Sequence, residues 1–354
     1  MTRTVEGAPR EVCLGIDAPT GKELWATPLG VAKYDGGGDS GTPDNKGGDG
    51  PRSTPTINAG HVYAIDARLN LACLDAKTGA KVWAKDIIKE HNGQNITWQD
   101  AASPVIEGDL IFMAGGGAGE ALLGIDKETG KTVWKAEDDK MTHATPVVAT
   151  IQGVRQVVFF TQKGLVSLEP KTGKLLWRYP FQYSTSTAAS PVIAGDIAYC
   201  SAGYNVGSGA ARITKNGDTF EAKEIWRTKG NKNANHWSTP VEKDGYLYGM
   251  FSFKEYGSGA VKCIELATAR EVWSQPNFGS GQAILAGGKL VALSDSGQIV
   301  LIDPSPEGYK EISRMQAVSG KCWSTPTISE GRLYVRSTRE GACYDVSVKV
   351  AGTK

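Results

Sequence analysis

LACLDAKTGAKVWAKD, Leu71 to Asp86, decides the fold, because the chain writes this stretch several times over. Leu71, Cys73 and Asp75 alternate with Ala72 and Leu74 at the two-residue period of a strand, and Lys81-Val82-Trp83 opens a second strand after a polar break. Asp75 can accept from backbone N–H groups ahead of it, and Thr78-Gly79 supplies a left-handed residue, so the break reads as a hairpin turn. The unit is therefore strand, turn, and a strand ending in Trp.

Further copies stand at CLGIDAPTGKELW (Cys13 to Trp25), LLGIDKETGKTVW (Leu122 to Trp134) and LVSLEPKTGKLLW (Leu165 to Trp177). Looser copies follow at Ala211 to Trp226, Val261 to Trp273 and Val300 to Arg314, the last with Arg314 where Trp would stand. Each hairpin is preceded by a second element, such as STPTINAGHVYAID or ASPVIEGDLIFMAG, which reads as two more strands around a Gly-bearing turn. Four strands with their connections take about 44 residues, and successive Trp copies are 43 to 58 residues apart. That is the period of propeller blades.

The expectation is an all-β, eight-bladed type of β-propeller: six complete four-stranded blades, beginning near Ser53, Ser103, Ala144, Ser190, Ser238 and Gln282, with partial blades at each end. The small, Pro-bearing first strands suit the crowded axis, where an unpaired edge tolerates Pro. The Trp residues would wedge between neighbouring blades at the rim. Residues 11–29 supply only two strands of a unit, and Ser324 to Val348 supplies three. Lys22 to Thr27 could close a seven-bladed ring, but Val12 to Asp17 and Ala342 to Asp345 would then compete for one third-strand slot. The eight-bladed reading is favoured, with residues 1–354 as one propeller domain that lacks a segment upstream.

The net charge of +1 offers no field to recruit nucleic acid or an anionic membrane. No apolar run is long enough to span a bilayer, and the first residues carry no signal-peptide core. Cys73, Cys263 and Cys343 share a slot with Gly15, Gly124 and Ser167, two residues before the acidic turn position, so the slot is a tight packing position. Equivalent places on different blades are too far apart to bridge, and reduced, buried thiols are expected. The Gly- and Asp-rich loop from Tyr34 to Arg52 lacks the D-x-D-x-D-G spacing of a calcium loop and reads as a flexible excursion.

Residues just before each first strand should meet around the mouth of the central channel. They are Arg52, Trp98, Gln99, Asp100, His143, Thr185, Thr187, Asn235, His236, Trp237, Gln282, Lys321 and Trp323. Aromatic plates mixed with a few charges suit a small-molecule pocket, and equally a polar plug that fills the channel. Ring-wide metal binding would need Asp100 beside His143 and His236, and no i, i+4 pair supports it, so no metal is expected. His91 is placed in a loop on the same face and His61 in a turn on the other. No nucleophile-elbow or haem-attachment motif occurs.

IDKETGKTVW and LDAKTGAKVW resemble the tryptophan-docking motif of quinoprotein-like (PQQ-like) β-propellers, a superfamily that includes PQQ alcohol dehydrogenases and the outer-membrane assembly factor BamB. GPRSTPTI (Gly50 to Ile57), Gly153 to Tyr179 and DGYLYGM (Asp244 to Met250) are similar to planctomycete-type repeat proteins of the polyvinyl-alcohol-dehydrogenase-like and BamB-like group. The resemblance implies a periplasmic or secreted parent protein. The dehydrogenases also carry adjacent cysteines beside the quinone and a calcium held by Glu, Asn and Asp, which this sequence does not match. PQQ with Ca²⁺ is therefore not firmly implied. The reading is a non-catalytic propeller that binds an unidentified protein or small ligand at the channel mouth through Arg52, Trp98, Gln99, Asp100, His143, Asn235, His236, Trp237, Lys321 and Trp323. The alternative is a PQQ-dependent alcohol-dehydrogenase-like oxidoreductase on the same face, with Asp100 or His143 as base, Arg52 and Lys321 as electrostatic partners, and Trp237 and Trp323 as stacking plates.

Overall fold

The computed structural model describes residues 1–34, 50–183, 185, 187–251 and 257–347. Most of the loop between Tyr34 and Arg52 thus lies outside the described residues, and with it the reading of that loop as a flexible excursion. The described chain forms eight antiparallel sheets, named A to H here in chain order, and one short helix, Ile87–Glu90. Sheets B to G have four strands each, and A and H have three. Each is a simple meander, consecutive strands lying side by side. This is the all-β, eight-bladed propeller class that the repeat implies.

The chain packs into two compact units. One holds Met1–Ala202 and Ser208–Arg227, with sheets A to E; the other holds Gly203–Gly207 and Thr228–Lys354, with sheets F to H.

Sheet B shows how the repeat sequence becomes structure. Asp75 Oδ1 accepts from the backbone N–H of Thr78 (2.7 Å) and from its hydroxyl (2.7 Å), and Gly79 takes φ +73°. Asp126 with Thr129 and Glu169 with Thr172 build the same turn in sheets C and D. One residue before each acid, a register shift curls the hairpin, as between Cys73 and Leu74.

The indoles then join one sheet to the next. Trp25 Nε1 donates to Ala76 O (3.1 Å), Trp83 to Lys127 O (2.9 Å), Trp134 to Pro170 O (2.8 Å) and Trp273 to Ser305 O (2.8 Å). Each carbonyl belongs to the turn of the following sheet. There the left-handed glycine lies against the ring: a Cβ on Gly79, Gly130 or Gly173 would come within 2.5, 2.8 or 2.7 Å of Trp25, Trp83 or Trp134. On its other side the indole covers the shared slot of its own third strand, where Gly15 pairs with Trp25, Cys73 with Trp83, Gly124 with Trp134, Ser167 with Trp177 and Cys263 with Trp273. The tolerance of that slot for Gly, Cys or Ser follows from the ring above it. Trp177 departs from the pattern by bonding Gln156 Oε1 (2.7 Å) within its own sheet.

The Ser-Thr-Pro signature has a hydrogen-bonding reason as well as a steric one. Regular pairing begins one residue after each Pro, at Thr56, Val105, Val147, Val192, Val241 and Thr327, so Pro precedes the first strand rather than lying within it. In the first unit the hydroxyls beside those prolines tie neighbouring first strands together: Ser103 Oγ accepts from Thr54 N (2.9 Å), Thr56 Oγ1 donates to Pro104 O (2.6 Å), and Thr145 Oγ1 accepts from Ser103 N (3.0 Å).

Three expectations need correction. Residues 11–29 lie in two strands, but the unit does not lack both of its earlier strands: Thr2–Val5 adds one to sheet A, pairing with Ala8–Ile16 around Glu6-Gly7, both left-handed. A Glu in that conformation is not a hairpin signal that sequence patterns carry. Arg314 does not hold the Trp register: a longer turn pairs Leu301 with Ser313 and Val300 with Arg314. All six cysteines are free thiols, but only five are buried, because Cys343 is exposed on a sheet whose fourth strand is missing among the described residues.

Candidate functional site

In the first unit, Arg52 stands two residues after the left-handed Gly50 and reaches across to the connection that follows sheet B. Its Nη1 donates to Trp98 O (2.5 Å) and its Nη2 to the Tyr34 hydroxyl, with the guanidinium 5.3 Å from the Tyr34 ring centroid. Trp98 and Gln99 both take positive φ, 69° and 65°, a strain held by surrounding bonds. Asn95 Nδ2 donates to Ala67 O (2.8 Å) and to Gln99 Oε1 (3.0 Å), while Asp100 N also donates to Ala67 O (3.0 Å).

This reach brings Asp100 into a group of carboxyls that the sequence did not single out. Glu11 from sheet A accepts from Ala67 N (3.2 Å), and Asp66 accepts from the backbone N–H groups of Arg68 (2.9 Å) and Asn70 (2.8 Å). All three carboxyls are buried, Asp100 at 1% exposure. Burial, reinforced by the mutual repulsion of Asp66, Glu11 and Asp100, pushes Asp100 up to about 8 and Glu11 up to about 7; burial also raises Asp66. Asp100 Oδ1 accepts from Ala102 N (3.1 Å), and its Oδ2 has no hydrogen-bond partner.

His143 is buried beside this connection, and its backbone N donates to Thr187 O (3.0 Å). Burial first, and then the Arg52 charge, push its imidazole down to about 4. Thr187 Oγ1 is used on Ser201 O (2.8 Å), and Thr185 is half-buried. His91 caps the short helix Ile87–Glu90. It is held between Glu120 Oε2 (2.6 Å) and Thr132 Oγ1 (2.9 Å) of sheet C. His61 opens the second strand of sheet B.

In the second unit the expected residues form an aromatic row. Tyr204 and His236 ring centroids are 5.2 Å apart, His236 and Trp237 5.2 Å, and Trp237 and Trp323 5.9 Å, with Lys321 Nζ 5.6 Å from the Trp323 ring. Gln282 Nε2 donates to Trp237 O (2.9 Å), fixing the row from below. His236 is buried, whereas Trp237, Trp323 and Lys321 are half-buried. Asn235 Nδ2 donates to Met250 O (2.9 Å), the same tie to the end of the second strand that Thr142 and Thr187 make in the first unit. It anchors the connection. Tyr204 and Tyr34 escaped the sequence reading because each lies in a non-periodic connection and joins its group only by folding back.

Among the described residues, no three His, Cys, Asp or Glu side chains are placed to hold a metal ion. In the first group Asp100 and His143 are buried while Arg52, Trp98 and Gln99 are half-buried and bonded among themselves or to their own connection; the second stacks half-buried Trp237 and Trp323 beside Lys321.

A family model described as outer membrane protein assembly factor BamB matches residues 10–249 and 257–349. The chain belongs to this BamB family. The BamB of Shewanella oneidensis is 22% identical over 333 residues, covering 80% of this chain and 82% of that protein. The solved structure of BamB from Moraxella catarrhalis, at 16% identity, superposes with a TM-score of 0.61 and covers 97% of this chain and 92% of its own. The BamB family shares its PQQ-like propeller fold with enzymes. A quinohemoprotein alcohol dehydrogenase from Comamonas testosteroni gives a TM-score of 0.58 at 14% identity, covering 93% of this chain and 68% of that one. The quinoprotein alcohol dehydrogenase PedH of Pseudomonas putida is 27% identical over 139 residues, spanning 37% of this chain and 23% of that enzyme.

Proposed function

We propose that this chain is a non-catalytic assembly factor that binds a polypeptide partner at the outer membrane, from the periplasmic side, through the Tyr204–His236–Trp237–Trp323 row and Lys321. The observation that carries the reading is the match to the BamB family across nearly the whole chain, together with similarity over 80% of this chain to a relative named as an outer membrane protein assembly factor. The row supports it, because half-buried Trp residues beside a cation make the amphipathic surface that protein interfaces favour.

The oxidoreductase alternative has less behind it. Asp100 is 1% exposed and pushed up to about 8 by burial, which keeps it away from a substrate it would have to meet as a base. His143, pushed down to about 4, is a weak base sealed from substrate. The quinone with calcium raised by the family resemblance has less support, since the chain has no adjacent cysteines and no three His, Cys, Asp or Glu side chains among the described residues are placed to hold a metal ion.

The test is binding of a urea-unfolded outer-membrane β-barrel protein, diluted into buffer and followed by fluorescence anisotropy. Trp237→Ala and Lys321→Glu should each weaken binding about tenfold or more with the melting temperature unchanged. No binding at micromolar concentrations, together with dye reduction by an alcohol on addition of PQQ and Ca²⁺, would overturn the reading in favour of the enzyme.

A further inference from the structure

Lys262 stands where other sheets keep an apolar side chain. It lies on the third strand of sheet F, Ala260–Glu265, one residue before the Cys263 slot, and the equivalent residues in sheets B, C and D are Ala72, Leu123 and Val166, all buried. Lys262 is buried too, at 5% exposure, and a lysine sits that deep only where its charge is met. Its Nζ donates to Lys232 O, Asn233 Oδ1 and Glu271 Oε2, each at 2.9 Å, so every proton of the ammonium group has an acceptor.

Two of those acceptors belong to the connection that leads into sheet F and ends in His236 and Trp237. The same connection is tied on either side of them. Asn231 Oδ1 accepts from Asn205 N (2.8 Å) and Gly230 N donates to Asn205 O (3.2 Å), next to the left-handed Tyr204 and Asn205, while Asn235 Nδ2 donates to Met250 O (2.9 Å). Beyond these ties Trp237 meets Trp323, ring centroids 5.9 Å apart and planes inclined at 44°. An apolar residue at 262 would fill the core and leave Lys232 O and Asn233 Oδ1 without this donor. Buried ion pairs seldom add stability over apolar side chains of similar volume, so what the lysine adds here is control of where the connection sits.

We propose that Lys262 is a positioning residue for the aromatic row: its bonds hold Lys232 and Asn233 against sheet F and thereby set Trp237 against Trp323. The side chain is buried and touches no partner itself; it acts through the connection, as a supporting residue does beneath a binding surface. Glu271, on the fourth strand, balances the charge of Lys262, and the two acceptors on the connection turn that charge into a fixed backbone path. The effect on a bound polypeptide rests on the reading above, whereas the effect on the Trp237–Trp323 geometry stands apart from it.

Two close, inclined indoles couple their transitions and give a circular-dichroism couplet, isolated in each background as the difference made by Trp237→Phe. In the whole chain, Lys262→Met should cut that couplet by about half or more and weaken binding of the unfolded β-barrel protein about fivefold. Glu271→Gln removes the ion pair but leaves Nζ an acceptor and both bonds to the connection, so it should keep couplet and binding. Asn233→Ala removes one bond to the connection and leaves the lysine in place; it should lower the couplet in the same direction by less, and it decides the matter if Lys262→Met does not fold. An undiminished couplet in folded Lys262→Met, an undiminished couplet in Asn233→Ala where Lys262→Met fails to fold, or an equal loss in Glu271→Gln overturns the proposal. If the couplet falls while Lys262→Met binds the barrel protein as the wild type does, the positioning role stands and the row is not the contact assigned to it above. If the wild-type chain binds no barrel protein, the binding reading falls, and the couplet alone decides the role of Lys262.

Discussion

Sheets B and H begin alike and end differently. Both set a cysteine two residues before the turn acid, but in B the thiol lies beneath Trp83, whose indole donates to Lys127 O of the next sheet, while in H the thiol meets solvent. The same third-strand pattern is therefore core in one place and surface in another. What separates them is whether a fourth strand delivers an aromatic lid. Stability in this fold resides in the junctions that the lids make.

The largest expected effect is on a lid. Trp134 is 7% exposed between the Gly124 slot and Gly173, so Trp134→Ala should cost about 3–5 kcal/mol in denaturant unfolding. A much smaller loss would show that the lids are ornamental and the contrast with sheet H empty.

Next is the carboxyl group at the junction of sheets A and B, which sheet H lacks. Asp100 and Glu11 are raised to about 8 and about 7 from ordinary values of 3.8 and 4.5, so the folded chain keeps protons that the unfolded chain has released. Their contribution is fully present below about pH 4 and is lost as pH rises through about 8, a decline on the order of a few kcal/mol. Thermal melts from pH 4 to 9 should fall across that window, and Asp100→Asn should flatten the fall. Hydrogen exchange should place the loosening at Ala67 and residues 95–100 and leave sheet H unaffected.

A smaller effect isolates the turn beneath a lid. Gly130→Ala places a Cβ 2.8 Å from Trp83 at φ +71°, while Gly195→Ala at φ +59° meets nothing within 4 Å. Both bear the left-handed strain of about 1 kcal/mol, and Gly130→Ala should lose roughly 1–2 kcal/mol more in equilibrium unfolding. Smallest of all, Cys343→Ser should change stability by less than about 0.5 kcal/mol, whereas Cys73→Ser under Trp83 should cost about 1–2 kcal/mol.

The reading of particular residues from sequence succeeded where the information was periodic. Gly15, Cys73, Gly124, Ser167, Cys263 and Cys343 read as one tight slot, and the structure pairs the first five with a Trp while Cys343 is exposed. The site residues were legible only as a set of irregular positions. That Arg52 grips Trp98 O, that Asp100 shares its surroundings with Glu11 and Asp66, and that Tyr204 extends the Trp237 row are relations between connections with no common period. Ser313 displaced Arg314 from the Trp register for the same reason, since a longer turn moved the pairing without altering the hydrophobic pattern.

By itself the sequence determined the number and order of the sheets, the turn chemistry and the Trp positions, because alternation, turn residues and repeat length act over distances that a local stretch encodes. Only the tertiary structure decided which acids hold protons, which aromatic residues stand together, and which of three equivalent cysteines reaches solvent. Those properties depend on what lies across a junction, and the residues that meet there are tens of positions apart in the chain.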